Sequence, residues 1–548
     1  MAVTSYLLRF TETEDVQVDA SGITIFVGPN NSGKSLALRE MKSQYFYEQT
    51  NTLVAALVHA DVTRTEIERA LAQYTIEVPQ DEFLPDDHIR LGNFDSSGLL
   101  QTRNVHRDSL YNVADGDGSA EYFNKEVLSL GVSLLDGRSR FSLIVARDAG
   151  DIDKPPTNML SFLFSNDGAR REVQKVVRDC LGVNLIVDAT SLGQFRLRIT
   201  VEELPADEQS LRKEFRDQIK SALLVEHASD GVQAFIGIIC SIMSAHYHTI
   251  LIDEPEAFLH PPLARRLGRV LGDYTKTGDA NLMVSTHSSD FLMGCIESGQ
   301  NVRVVRMEYR NKKSRGILIE SNDLRAFFQR PLIRSSNVLS ALFYDGVVVS
   351  ESDNDRAFYQ EIYRLIADGR QDAPSILFIN AQNKQTIRDI IGPLRKFGVP
   401  AAAITDIDIL KDGGGVFAGW LQSANVPHAL HLGLGQQRSA LCKAFDVIGK
   451  DMKANGGVEF LPDGDKDAAN EFFDGLNRWG VFPVRGGELE SWLPKKGIEG
   501  KKTDWAVSAL NRLEHSTNRE PLVPDGTDVW KFMNIVIDWI ADPGRKGM

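Results

Sequence analysis

Residues 23–35 read Ile-Thr-Ile-Phe-Val-Gly-Pro-Asn-Asn-Ser-Gly-Lys-Ser, a β-branched run followed by a complete G-x-x-x-x-G-K-[ST] loop. The run 23–27 predicts a buried strand, and Ser35-Leu36-Ala37-Leu38-Arg39-Glu40 predicts a helix directly after the loop. Each fixed position has a physical task. Gly28 and Gly33 let the backbone curl, so that N–H groups of the loop formed with Asn30, Asn31 and Ser32 face a β-phosphate. Lys34 brings a positive charge to the β- and γ-phosphates, and the Ser35 hydroxyl suits Mg²⁺. Strand, loop and helix stand in the order that an ATP site requires.

Such a loop needs a second acidic site to hold the magnesium and polarise water. Thr249-Ile250-Leu251-Ile252-Asp253-Glu254 supplies an apolar strand ending in two carboxylates. Asp253 is placed to bind Mg²⁺, directly or through water, and Glu254 to act as general base. The stretch from Pro255 to Pro261 predicts the start of a helix. Further on, 282–288 (Leu-Met-Val-Ser-Thr-His-Ser) predicts another strand, with His287 at its carboxyl end as a γ-phosphate sensor. Upstream, Ser229-Asp230-Gly231-Val232-Gln233 precedes an apolar helix over 234–245.

The pattern restarts in the last third. Residues 346–350, 376–379 and 401–405 predict buried strands, and a helix follows from Arg356 towards Ile366. Strands alternating with helices indicate a parallel sheet, whose ligands sit at the strands' carboxyl ends. Glu351, Asp353 and Asp355 follow the first of these strands, and Asp406 and Asp408 follow the third. Carboxylates crowded within a few ångströms repel one another unless cations neutralise them. An oxygen-only set suits Mg²⁺ or Mn²⁺, and two such ions about 4 Å apart clamp the attacking and leaving oxygens of a phosphodiester. Asp353 reads as a helix cap rather than a ligand.

Taken together, the ATPase motifs resemble the ABC-type ATPases related to SMC and RecF proteins, and more closely the ATPases of the OLD family. The Asp-Glu-Pro-Glu-x-x-Leu-His-Pro run characteristic of that family is matched by residues 253–261. The 229–233 turn is similar to the signature motif of the group, although it departs from the common Leu-Ser-Gly-Gly-Gln form. The resemblance implies ATP held between one subunit's P-loop and the Ser229 and Gly231 turn of another, in a homodimer or higher oligomer. The spacing Glu351-x-x-x-Asp355 with Asp406-x-Asp408 resembles a TOPRIM domain, the metal-binding fold of topoisomerases, primases and OLD-family nucleases. Gly486-Gly487-Glu488-Leu489-Glu490-Ser491-Trp492 is similar to the Gly-x-Leu-Glu segment of those domains. That likeness implies Glu490 as a further metal ligand, with Lys495 or Lys496 beside the leaving oxygen. Ser352 stands where TOPRIM domains usually carry glycine. ATPase followed by TOPRIM is itself the OLD-family order. It implies an ATP-binding, metal-dependent DNA endonuclease of bacterial antiphage defence, sometimes working with a partner protein or a retron nucleic acid. A regulatory ATPase whose TOPRIM domain binds without cutting, and an RNA-directed nuclease, remain open alternatives at this point.

The rest of the chain bounds the setting. Its 548 residues suit two or three domains, expected as an ABC-type ATPase domain over 1–335 and an α/β TOPRIM domain with a parallel sheet over 336–548. A helical insertion is expected at about 40–130, with 53–72 mostly helical, 140–145 a strand, 169–181 an amphipathic helix and 195–199 a strand. A net charge of −14 argues against a broadly basic nucleic-acid-binding surface. Arg303, Arg306, Arg310, Lys312, Lys313 and Arg315 form a local basic segment, followed by Arg325, Arg330 and Arg334; it is either a solvated hairpin face or a phosphate-contacting strip. Cys180, Cys240, Cys295 and Cys442 lie far apart, which suits a reducing cytoplasm and argues against zinc or a disulfide framework. No membrane span or export signal is expected.

Overall fold

The computed structural model describes residues 3–548 except 47–51, 60–61, 80–81, 152, 192, 204–208, 210–211, 278–279, 331–337, 494–495, 499 and 514–521. It divides into two compact units: Met1–Val27 with Asn31–Ser321, and Asn322–Met548 with Gly28–Asn30. The helix Ser321–Phe328 thus begins at the division, ahead of the expected boundary at 335.

The first unit is organised by a six-stranded sheet. Its order is Lys313–Ile319, Val302–Arg310, Ile23–Val27, Asn281–Ser285, Thr249–Asp253, Val132–Leu135. All neighbours are parallel except the 302–319 hairpin. The P-loop strand is buried at every position, as a strand covered on both faces must be. Its register pairs Phe26 with Ser285, and Ser285 with Asp253, so the functional strand ends align along one edge.

Several expected elements differ. Residues 40–130 are mixed rather than helical. Val54–His59 is a strand antiparallel to Val3–Leu8, and His88–Phe94 pairs with Leu100–His106. Glu40 decides the first of these: its carboxylate accepts from Thr52 N and Oγ1, Leu53 N and Val54 N at 2.7–3.1 Å, pinning an extended segment against the P-loop helix. Within 53–72 only Arg64–Tyr74 begins a helix, set by a Thr63/Glu66 capping box. The expected strand at 140–145 is instead the short helix Ser139–Ser142, begun where Asp136 Oδ1 accepts from the amides of Arg138 and Ser139. The helix expected from Pro255 starts only at Pro261, because Glu254 and Phe258 take left-handed φ values of 51° and 71° that no helix continues through. The helices Asp167–Leu181 and Asp230–Ser244 and the strand Gln194–Thr200 form as expected.

The second unit is a four-stranded sheet, parallel throughout, in the order Ile376–Asn380, Gly346–Ser350, Ala401–Asp406, Val481–Val484. Helices Asp353–Ala367, Thr503–Leu513 and Asp528–Ala541 cover it with a core that includes Phe358, Trp505, Trp530 and Trp539. Three further helices, Gly414–Ser423, His428–Ile448 and Asp463–Asn477, intervene before the last strand. Arg395 ties this unit together. Its fully buried guanidinium donates to the carbonyls of Ala401, Ala424, Trp479, Gly480 and Gly547, with burial pushing it down to about 9.

Candidate ATP and metal sites

The P-loop curls through Gly28 (φ 144°), Asn31 (φ 61°) and Gly33 (φ 97°), which caps the helix Lys34–Ser43. This conformation aims amides at an anion beside a helix N-terminus, so the residues present fit a triphosphate. Lys34 Nζ donates to Ser32 Oγ at 3.2 Å. Burial pushes its ammonium down to about 8, and the charges of Glu254, Asp253 and Glu256 offset only part of that. Ser35 Oγ donates to Asp253 Oδ1 at 2.7 Å, and Ser285 Oγ donates to the same oxygen. The loop hydroxyl and the strand carboxylate expected to share a magnesium ion are therefore already adjacent. Glu254 turns outward, its Oε1 3.7 Å from His287 Nε2. The His287 amide donates to Glu256 Oε1 at 2.7 Å. Its imidazole is held down in pKa by burial and by Lys34, against the pull of Glu254 and Asp253.

Arg140 is a member of this site that sequence patterning concealed. It is fully buried, donates through Nη2 to the Asp253 carbonyl, and faces Glu256. Its own carbonyl lies 2.4 Å from where a Cβ on Gly237 would stand, so only glycine lets the 230–244 helix approach here. Ser229 caps that helix without a side-chain bond and is exposed, and Gly231 packs 2.6 Å (Cβ position) from the Phe258 carbonyl. The basic segment is a paired hairpin. Arg303 meets Asp19, Arg306 meets Glu308, and Lys313 and Arg315 meet Glu12, while Arg334 lies outside the described residues.

At the carboxyl edge of the second sheet, Glu351, Asp406 and Asp408 each offer an oxygen, all within 4.8 Å of one another. Three hard oxygen donors in that space fit Mg²⁺ or Mn²⁺. Glu351 Oε1 accepts from the Asp406 amide at 3.2 Å. Burial, with Asp406 and Asp408 adding repulsion, pushes Glu351 up to about 7. Asp406 is also raised by burial, with Lys453 opposing. Asp355 stands outside this trio. It completes a capping box with Ser352, accepting at Oδ2 from Ser352 N (3.0 Å) and Oγ (2.8 Å). Burial, Asp406 and Glu490 push it to about 6. The cap is thus Ser352 and not Asp353, which is the first helical residue and pairs with Arg356. Ser352 sits at φ −134°, a conformation that makes no demand for glycine. Glu490 lies in the turn Leu489–Ser491 with Oε1 accepting from Lys502 N at 2.6 Å. Lys495 lies outside the described residues, and Lys496 is 3.8 Å from Asp525.

The lysines that do reach the trio come from elsewhere. Lys453 Nζ is 2.5 Å from Asp406 Oδ2 and 3.7 Å from Asp408 Oδ2. Lys384 Nζ is 3.1 Å from Asp408 Oδ1 and 3.2 Å from Asp412 Oδ1. For both, burial works against the charge but the carboxylates prevail and raise the pKa. No motif spacing pointed to either residue; alternation of strands and helices would have placed Lys384, which opens the helix after the strand Ile376–Asn380, on the same sheet edge.

Two family models match this chain. Residues 204–294 match "AAA domain, putative AbiEii toxin, Type IV TA system". Residues 342–408 match "Overcoming lysogenization defect protein-like, TOPRIM domain". No curated protein matches it. Among solved structures, an SMC head bound to the C-winged helix domain of ScpA is similar at 12% identity and TM-score 0.36, over 60% of this chain and 100% of that one. The SMC head domain from Thermotoga maritima is similar at 14% identity and TM-score 0.28, over 58% and 100%. CbiO1 from Clostridium perfringens, part of an ABC transporter complex, is similar at 11% identity and TM-score 0.29, over 61% and 94%. Among the described residues no helix is long and apolar enough to cross a membrane. A match to an ATPase-domain model is thus followed along the chain by a match to a TOPRIM model of the overcoming-lysogenization-defect type, the order its sequence resembles.

Proposed function

We propose that this protein is an ATP-regulated, divalent-metal-dependent endonuclease acting on DNA, in the cytoplasm and in antiphage defence. The observation that carries the reading is the meeting of Glu351, Asp406 and Asp408 at the carboxyl edge of a parallel sheet, in a chain that also holds a P-loop ATPase. Ser35, Asp253 and Glu254 serve ATP, and the turn from the exposed Ser229 to the half-buried Gly231 meets the nucleotide of a second subunit in a homodimer. A partner protein or retron nucleic acid fits the same reading by resemblance.

A divalent ion bound here would supply Lewis-acid stabilisation to the charge that develops on a phosphodiester. Glu351, Asp406 and Asp408 would hold it, and the Asp406 amide, donating to Glu351 Oε1, fixes that carboxylate beside Asp406. Burial and the neighbouring carboxylates raise the proton affinity of Glu351 in the metal-free site, so protons compete with the ion for it. The capping role of Ser352 offers no reason to withhold cleavage, which weakens the non-cutting alternative.

Supercoiled plasmid and a matched RNA, incubated with Mg²⁺ or Mn²⁺ with and without ATP, test the proposal. Glu351→Ala and Asp406→Ala are expected to lower nicking by about a thousandfold while ATP binding persists. Nicking that survives both substitutions would remove these residues from the reaction, and cleavage of RNA alone would redirect the substrate.

A further inference from the structure

We propose that a cavity at the open edge of the second sheet receives the unpaired nucleobase of a nucleotide next to the phosphodiester held at Glu351, Asp406 and Asp408. This rests on the nuclease reading and narrows it: the substrate is nucleic acid that is single-stranded where it is cut.

The cavity is set by the strand Ile376–Asn380, the outermost of its sheet. Its volume is about 560 Å³, and all five residues of that strand line it, together with Tyr344, Arg356 and Gln360. Successive strand residues point to opposite faces, so five in a row can line one space only if it runs along the strand's edge. The other edge is taken. Ala381 N donates to the Ser350 carbonyl at 2.9 Å, and Ile376 to Asn380 pair in register with Gly346 to Ser350. In a parallel ladder the backbone groups of alternate residues face alternate sides. The N–H and C=O groups of Ile376, Phe378 and Asn380 therefore turn outward, along the cavity.

That edge suits a base. Each outward residue offers one donor and one acceptor, and the Watson–Crick edge of every nucleobase carries an acceptor next to a donor. The match makes no choice among the four bases but requires the base to be unpaired. Tyr344 adds an aromatic ring of the kind on which bases stack. The planar Arg356 guanidinium, which can also stack, is fixed by Asp353 Oδ1 at 3.0 Å and Gln360 Oε1 at 3.1 Å.

Continuity with the metal edge selects this ligand. Asn380 stands opposite Ser350, the residue before Glu351, about 4.8 Å away across the ladder. Gln382 also lines the cavity; it holds a left-handed φ of 67°, with its amide donating to Asn380 Oδ1 at 2.6 Å. Two residues later, Lys384 Nζ lies 3.1 Å from Asp408 Oδ1. One short turn thus borders both the cavity and the acidic trio, and strained backbone of this kind concentrates at ligand sites. Charge points the same way. A net charge of −14, with Arg303, Arg306, Lys313 and Arg315 each facing an acid, gives little of the basic field that grips duplex phosphates, so bases have to carry affinity.

Fluorescence anisotropy of the full-length protein tests this, with Ca²⁺ in place of Mg²⁺ to slow cleavage. The probes are a fluorescein-labelled oligothymidylate and an abasic strand of equal length and charge. Wild type is expected to bind the oligothymidylate about tenfold more tightly. Gln360→Trp, at an exposed helix position, fills the cavity and is expected to bring that ratio near one. Arg356→Ala, a second variant should the first not fold, is expected to lower the ratio about threefold. A ratio near one in wild type would overturn the proposal, as would an unlabelled duplex that displaces the strand as well as its own unlabelled copy does. A ratio unchanged in both variants would also overturn it and leave the open edge to a peptide strand. In each case nicking that still depends on Glu351 keeps the nuclease reading, whereas nicking independent of Glu351 removes both.

Discussion

At the edge of the ATPase sheet, Lys34 is bonded to a serine hydroxyl while Asp253 is bonded to two others; at the edge of the TOPRIM sheet, Lys453 and Lys384 are bonded to the carboxylates themselves. At both edges lysines meet acids that follow parallel strands, yet the charges are handled in opposite ways. Lys34 is depressed to about 8 because the nearby acids do not fully compensate its burial, whereas Lys453 and Lys384 are raised by theirs. The lesson concerns what each site awaits. A desolvated cation flanked by curled backbone amides is prepared for polyanionic phosphate, and its cost in the free protein is recovered on binding. A cluster bridged by ammonium groups is partly neutralised, yet Glu351 and Asp406 stay raised in pKa, so it retains an excess of negative charge suited to a cation.

Replacing each lysine with methionine is the direct way to break that comparison, and gives the largest effect. Lys34→Met is expected to weaken ATP binding by about 10–100-fold, since a hydrogen bond to a charged group is lost. The free protein should be as stable as wild type or more so, by up to about 3 kcal/mol, the cost implied by the fall from 10.5 to about 8. Isothermal titration and urea unfolding read the two quantities. A clear loss of stability without ATP would show that Lys34 is compensated after all.

The opposite end of the Asp253 strand sharpens the contrast through pH. His248, buried, donates from Nε2 to the Leu128 carbonyl at 2.8 Å and has Nδ1 2.9 Å from Thr249 Oγ1, and burial pushes it from 6.5 down to about 4. The unfolded chain then binds the extra proton between those values. The His248 contribution is complete above about pH 6.5 and is lost as pH falls towards 4, by about 2 kcal/mol between pH 7 and 5. Unfolding of the first unit should therefore be more acid-sensitive than that of the second, and His248→Gln should flatten the difference. Equal slopes in wild type and variant would remove His248 as the cause.

A smaller effect tests the loop behind Lys453. Gly487→Ala puts a side chain at φ 124° and against the Lys453 carbonyl, at an expected cost of about 1–2 kcal/mol, or a few degrees in Tm. An unchanged melting curve would mean that the loop yields without strain.

Local chemistry was legible along the chain. The P-loop, the strand ending in Asp253-Glu254, the strands at 346–350 and 401–406, and the acidic residues after them are each contiguous, and each needs only its own few residues to be recognised. Apolar runs bounded by turns determined these strands because a covered parallel strand is hydrophobic at every position. Tertiary structure alone decided what came from a distance. Glu40 makes a strand of a segment that reads as helix, by accepting its amides from another element. The alternating pattern at 140–145 becomes a short helix where Asp136 accepts the amides of Arg138 and Ser139, and the Arg140 guanidinium then reaches the Asp253 carbonyl. Lys384 and Lys453 join Asp406 and Asp408 across separations that no spacing rule encodes, and the left-handed Gly487 that admits Lys453 is silent until the two loops are seen to touch. Periodicity reports which face of an element is buried; only packing brings charges from separate elements within a few ångströms, and it is at that distance that they determine what the site can bind.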